Sequence, residues 1–192
     1  MKVRESGMPA EDCWRTFFHP SEVLRQLGLL ESDRVVVDLG CGYGTFTIPA
    51  ARIVSGVVHA YDLEREMIAE TKRKAETAGL ANIQYHLRDF VSKGTGLPDA
   101  SADYVMLFNI LHAERPLDLL REAHRILVPA GTLGIMHWNW DPQTPRGPPM
   151  EIRPKPEQCR AWAEEAGFIV AKPRIDLPPY HYGIVAVKGE HE

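Results

Sequence analysis

The chain has 192 residues, 44% of them hydrophobic and 25% charged, which suits one globular domain with a sizeable core and leaves little room for a second. A net charge of −4 denies it the broad positive field that nonspecific nucleic-acid binding needs, and no apolar run reaches the length of a signal-peptide core or a membrane span. Cys13, Cys41 and Cys159 are too few and too scattered for a disulfide framework or a paired-cysteine metal site, so a soluble protein in a reducing, cytoplasmic setting is expected.

In chain order, residues 20–30 (PSEVLRQLGLL) place apolar side chains at 23, 24, 27 and 30, a helical stripe opened by Pro20 and Ser21. Val35 to Leu39 read as a buried strand, and Thr45 to about Val54 as the helix after it. Gly56 opens a second strand, VVHAYD, which ends at Asp62; residues 64–78 are rich in helix formers and stop at Gly79, a C-cap. Ile83 to Leu87 form strand three, followed by Asp89 and Phe90, and SKGTGLPDAS is loop by its Gly, Pro and Ser content. Strand four, ADYVMLFN, ends at Asn109; a helix spans about Pro116 to Leu127, and strand five follows the PAG turn as TLGIMHWNW. Six prolines between residues 141 and 156 make that segment a loop lying over the sheet. A last helix, Glu157 to Ala166, closes at Gly167, and two strands follow, FIVAKPRI and about GIVAVK. The turn between them, DLPPYHYG, is short enough to set the last strand antiparallel to its neighbour. Alternating strands and helices of this kind predict an α/β fold with a largely parallel sheet.

In such sheets ligands bind outside the carboxyl ends of the strands. Strand one ends in Asp38 and a turn containing Gly40, Gly42 and Gly44; strands two and three end in Asp62 and Asp89, strand four in Asn109, strand five in His137 and Trp138. The glycines let the chain turn sharply and approach a ligand closely, and the turn's free N–H groups favour an anion or a close polar contact. A nicotinamide dinucleotide competes for this site, because Asp62 has the spacing of a ribose-gripping acid. Its fingerprint needs a third glycine where Thr45 stands, and Asp38 would set negative charge near a pyrophosphate.

The motifs DLGCGYG (38–44), YDLEREMI (61–68), LRDF (87–90) and the stretch from Leu97 to Trp138 stand in an order that resembles the class I S-adenosylmethionine-dependent methyltransferases, most of all the small-molecule branch that includes quinone-biosynthesis enzymes. The resemblance implies a Rossmann-like, seven-stranded, mostly parallel sheet with helices on both faces, strand order 3-2-1-4-5-7-6 and the last strand antiparallel. It implies one domain over 1–192, with residues 1–30 as a helical lid. It implies S-adenosylmethionine as cofactor and a small-molecule acceptor, with neither nucleic acid nor membrane as partner. Adenine methylation of nucleic acid is disfavoured, since FNIL follows strand four where an aromatic-ended, two-proline tetrapeptide would be expected.

By the same resemblance, Asp38 and the backbone of Gly40, Cys41, Gly42 and Gly44 would hold the methionine end of the cofactor. Asp62 would accept from both ribose hydroxyls and Leu63 would pack on the adenine. Asp89 would accept from the adenine amine, the Phe90 N–H would meet a ring nitrogen, and the Asn109 carbonyl would lie near the methionine amine or the sulfonium. The cofactor carries a sulfonium and no phosphate, so carboxylates stand where a phosphate cradle would. His137 and His112 are the candidate general bases, with Tyr180, His181 and Tyr182 as further pocket wall, and Trp14, Phe17, Phe18 and His19 as a possible lid. No HxH, HxxxH or carboxylate-paired spacing supports a metal site, Cys41 needs no thiol chemistry, and Lys72, Arg73 and Lys74 read as a solvated helix face. A nicotinamide-dependent oxidoreductase and a non-catalytic S-adenosylmethionine-binding protein stay open as alternatives.

Overall fold

A computed structural model describes residue 17 and residues 19–190. Seven strands form one sheet: β1 (Val35–Leu39), β2 (Val57–Asp62), β3 (Ile83–Leu87), β4 (Ala102–Phe108), β5 (Leu127–Trp138), β6 (Phe168–Leu177) and β7 (His181–Lys188). Their order is β3-β2-β1-β4-β5-β7-β6. Neighbours pair in parallel from β3 through β5, and β7 alone runs against the rest, antiparallel to both β5 and β6. Both the order and the single reversed strand match expectation.

Among the described residues six helices cover the sheet: α1 (Pro20–Gln26), α2 (Thr47–Ile53), α3 (Arg65–Thr77), α4 (Phe90–Lys93), α5 (Pro116–Ile126) and α6 (Pro156–Glu165). Successive strand residues face opposite ways, so β4 feeds Tyr104 and Met106 into a core shared with Leu24, Leu27, Ala50 and Ala75. Val105 and Leu107 enter the opposite core with Leu119, Leu120, Ala123 and Ala163. Burial on both faces is why the central strands read as near-continuous apolar runs.

Four boundaries differ from expectation, each for a local reason. The first helix stops at Gln26 rather than Leu30, because Gly28 takes φ +92° and closes a Schellman motif, Leu29 N–H to Leu24 O at 3.0 Å and Gly28 N–H to Arg25 O at 3.1 Å. The short α4 replaces the start of the expected loop, capped by Asp89, whose carboxylate accepts from the Ser92 N–H at 3.0 Å. Strand β5 begins at Leu127, before the PAG turn, and ends at Trp138, so Asn139 and Trp140 lie outside it. Strand β7 begins at His181, because His181 and Tyr182 pair with Trp138 and His137 and shrink the turn to residues 178–180.

The proline-rich segment is a loop, as expected, and it is organised around one side chain. Arg153 is buried, and its guanidinium donates to the carbonyls of Asn139, Asp141, Arg146 and Pro148 and to the Thr144 hydroxyl at 2.5 to 3.3 Å. Prolines leave many carbonyls and few N–H partners, and a five-donor cation supplies the missing donors from the centre.

Candidate functional site

The turn after β1 is fixed from three sides. Gly40, Gly42 and Gly44 take φ of +86°, +52° and +76°, values that suit glycine. The Gly40 and Cys41 N–H groups donate to the Tyr61 carbonyl at 2.9 Å, and the Gly44 N–H donates to the Cys41 carbonyl at 2.9 Å. The Gly42 N–H donates to Asp62 Oδ2 at 2.9 Å. From α3, the Thr71 hydroxyl holds the Gly42 carbonyl and Lys74 Nζ the Tyr43 carbonyl, each at 2.8 Å. A Cβ on Gly44 would meet Thr71 at 2.9 Å, so helix and turn are in close contact.

This geometry corrects the expectation of free amides. Four N–H groups of the turn are spent within the protein, so it presents no phosphate cradle of the kind a pyrophosphate uses. What it presents is carboxylate. Asp38 is buried at the end of β1 and accepts from the Thr47 hydroxyl at 2.6 Å. Asp62 accepts from Gly42 on one oxygen and from the Glu64 N–H on the other, at 2.9 Å each, which uses two of about four lone-pair sites. Neither forms an ion pair among the described residues. Burial, reinforced by the nearby Asp62 charge and opposed by the Thr47 bond, pushes Asp38 up to about 7.

A buried carboxylate held this high is poised for a cation. The sign follows from linkage: a cationic ligand favours ionised Asp38, so binding releases a proton below pH 7 and none well above it. Affinity for a cationic ligand seated against Asp38 is expected to rise about tenfold between pH 6 and pH 8 and then level off. Calorimetry in two buffers of different ionisation enthalpy would read the released proton directly. In the free protein the same raised value works against folding, since between its ordinary 3.8 and about 7 the native state keeps a proton that the unfolded chain loses. Asp38→Asn should therefore be more stable than the parent at pH 8 while losing the pH dependence of binding.

The other expected positions are occupied as follows. Leu63 is half-buried beside β2 and packs on the α5-side core. Asp89 is half-buried and both its oxygens accept from Ser92, whose bonds hold it below the usual carboxylate range. The Phe90 N–H donates to the Arg88 carbonyl at 3.0 Å and its ring is buried edge-on to Tyr61. Asn109 follows the end of β4 with φ +55°, its N–H bonded to the Met136 carbonyl at 2.7 Å and both side-chain amide atoms buried without a partner. Cys41 is buried and its thiol is pushed far up by that burial and by Asp38 and Asp62, so it is no nucleophile.

The two candidate bases meet: His112 Nδ1 lies 3.4 Å from His137 Nε2. His137 is fully buried, and burial with the neighbouring His112 and His181 holds its proton affinity well down. Phe17 packs edge-on against Trp138 and Tyr180, at 5.6 and 5.4 Å between ring centres; Trp14, Phe18 and Cys13 lie outside the described residues. Among the described residues no group of His, Cys, Asp and Glu could hold a metal ion. No described helix is long and apolar enough to cross a membrane. Thr47, Thr71 and Lys74 went unforeseen, and Lys74 corrects the reading of a wholly solvated 72–74 run. The available signals were two threonines at buried helix positions and a lysine one turn after Thr71.

Residues 36–131 match the family model described as "Methyltransferase domain". The fold is that of a crystal structure of a SAM dependent methyltransferase from Aquifex aeolicus, with TM-score 0.81, 26% identity and 93% of each chain covered. Over 73 residues the chain is 40% identical to the aklanonic acid methyltransferase DauC of Streptomyces sp. (strain C5), covering 37% of this chain and 32% of that protein. Over 78 residues it is 36% identical to the 23S rRNA (uracil(1939)-C(5))-methyltransferase RlmD of Xanthomonas euvesicatoria pv. vesicatoria, covering 40% of this chain and 17% of that protein. The chain spans less than half the length of the curated relatives it matches.

Proposed function

The chain belongs to the methyltransferase-domain family, and from that premise we propose that it moves a methyl group from S-adenosylmethionine to a small-molecule acceptor. The observation that carries this reading is the pair Asp38 and Asp62 at the ends of β1 and β2, uncompensated by any cation among the described residues, beside a turn whose amides are already spent. That donor and acceptor set fits a cationic ligand with hydroxyls and fits a pyrophosphate poorly.

In this reading Asp38 and the Gly40–Gly44 backbone hold the methionine end, and the free lone pairs of Asp62 take the ribose hydroxyls. Leu63 packs on the adenine, Asp89 and Phe90 bound its polar edge, and the Asn109 carbonyl lies toward the ammonium or the sulfonium. When bound, the cofactor would supply an activated methyl on cationic sulfur, and an oxygen acceptor that took it would give up one proton. The residues' task is to align the acceptor and exclude water, which suits a site with no strong base. His112 and His137, whose ring nitrogens lie 3.4 Å apart, are the two groups proposed to take the proton. The chain acts as one domain, a reading supported by Phe17 packing on Trp138 and Tyr180 beyond the end of β5. A cytoplasmic workplace fits the free, buried Cys41 and Cys159.

The test is transfer of labelled methyl from S-adenosylmethionine to a panel of phenols, carboxylic acids, amines, thiols and a ribosomal RNA fragment. Label on a small acceptor is the expected result. Label on the RNA alone would move the reading to the RNA-modifying relatives, and binding without any turnover would make the chain a cofactor-binding protein.

A further inference from the structure

Thr71 stands in the middle of α3 and is completely buried. A buried threonine inside a helix ordinarily returns its hydroxyl to a carbonyl one turn back in its own helix. The Thr71 hydroxyl instead leaves the helix and donates to the Gly42 carbonyl at 2.8 Å. Three residues on, Lys74 Nζ donates to the next carbonyl of the turn, that of Tyr43, also at 2.8 Å, and lies 5.5 Å from the centre of the Tyr43 ring. Residues three apart share a helix face, so α3 grips two consecutive turn carbonyls from one side. The approach is close, since a Cβ on Gly44 would lie 2.9 Å from Thr71 Cγ2 and 3.0 Å from its hydroxyl oxygen.

Gripping a carbonyl also aims the amide bonded to it. In a planar trans peptide the C=O of one residue and the N–H of the next point in opposite directions. With the Gly42 carbonyl turned to α3, the Tyr43 N–H is turned away from the helix. The amides of Gly40 and Cys41 are spent on the Tyr61 carbonyl, that of Gly42 on Asp62 and that of Gly44 on the Cys41 carbonyl. No described residue accepts from the Tyr43 N–H, which leaves that amide for a ligand. One N–H makes no phosphate cradle, but it suits one oxygen of a carboxylate.

We infer that Thr71 and Lys74 are positioning residues for the methyl donor: by holding the Gly42 and Tyr43 carbonyls against α3, they set the glycine turn so that the Tyr43 N–H receives the donor's carboxylate. The carboxylate as ligand rests on the methyl-donor reading, whereas the set of the turn does not. Asp38 and the Tyr43 amide then divide the amino-acid end of the donor between them, the first taking its ammonium and the second its carboxylate.

Two measurements test this. In the ligand-free protein, amide hydrogen exchange followed by NMR should show the Tyr43 N–H exchanging about tenfold or more faster than those of Gly42 and Gly44. Thr71→Val should shrink that difference by speeding Gly42 and Gly44, and Thr71→Ser should keep it. The second measurement is calorimetric titration with S-adenosylhomocysteine and with S-adenosyl-3-thiopropylamine, which keeps the adenine, ribose and ammonium and lacks the carboxylate. Thr71→Val should weaken S-adenosylhomocysteine about tenfold and the decarboxylated ligand less than about twofold, while Thr71→Ser restores parent binding to within about threefold. Lys74→Met, at a half-buried position where the fold is not at stake, should show the same selective loss in smaller measure. Equal weakening of both ligands by Thr71→Val, or a Tyr43 amide as protected as Gly42 and Gly44, would overturn the inference. Failure of the parent to bind either ligand would instead overturn the methyl-donor reading, and the exchange pattern would still decide the set of the turn.

Discussion

Asp62→Ala should lower the affinity for S-adenosylhomocysteine by about 100-fold or more, roughly 3 kcal/mol, while leaving a folded protein. One substitution removes several things together. The carboxylate joins the glycine turn to β2 through Gly42 and pins the start of α3 through the Glu64 N–H, and in the proposed complex it also accepts from the ribose. Losing two exposed or half-buried backbone contacts is survivable, because those amides can turn to water. Losing the ribose acceptor inside a closed site is not. Asp62→Asn separates the parts: its amide oxygen can still accept from one backbone N–H, so the turn survives in part while binding falls. Calorimetry for the ligand and thermal unfolding for the protein report the two effects independently.

The second large effect is structural. Gly134→Ala should cost about 3–4 kcal/mol, because a Cβ there would lie 2.1 Å from Tyr104 Oη and 2.9 Å from its Cζ. Tyr104 is fully buried on β4, its hydroxyl donates to the Leu27 carbonyl at 3.1 Å, and there is no surface for the phenol to escape to. Three elements, α1, β4 and β5, therefore meet at a hydroxyl that only glycine at 134 accommodates. Tyr104→Phe alone should cost about 1 kcal/mol, the lost bond. In the double variant Gly134→Ala with Tyr104→Phe the colliding oxygen is gone, so its loss should fall well short of the sum of the single losses. Additive losses in chemical denaturation would refute the contact.

Much of this architecture was legible in the residues. Valines at 35–37 and the run VMLF at 105–108 can serve only as strands buried on both faces, and Gly79 marks the end of α3 at the position where the Schellman bonds close. Asp38 and Asp62 at the ends of β1 and β2 were legible as a pair, because a parallel sheet brings its carboxyl ends to one edge, whereas Asp89 lies two residues past β3 as the cap of α4. What stayed hidden depends on partners distant in sequence. Nothing near Gly42 announces that its amide faces Asp62, 20 positions on, or that Thr71 and Lys74 reach back to the turn from α3. The helix stripe that ran on to Leu30 was outweighed by Gly28, whose left-handed backbone ends α1 even though Leu27 and Leu29 stay buried. Arg153 could not be foreseen as the centre of its loop, since the signal was proline content and the need it creates, donors for orphaned carbonyls, can be met by any nearby cation.

The stretch VVVDLGCGYG is better described as a spent turn beside carboxylates than as an open amide cradle.

The central claim is tested most directly by side-by-side calorimetric titration of the unmodified chain with S-adenosylhomocysteine and with NADH at pH 6 and pH 8. Micromolar binding of S-adenosylhomocysteine is expected, about tenfold tighter at pH 8 and with proton release at pH 6, and no comparable binding of NADH. Tighter binding of NADH than of S-adenosylhomocysteine would contradict it.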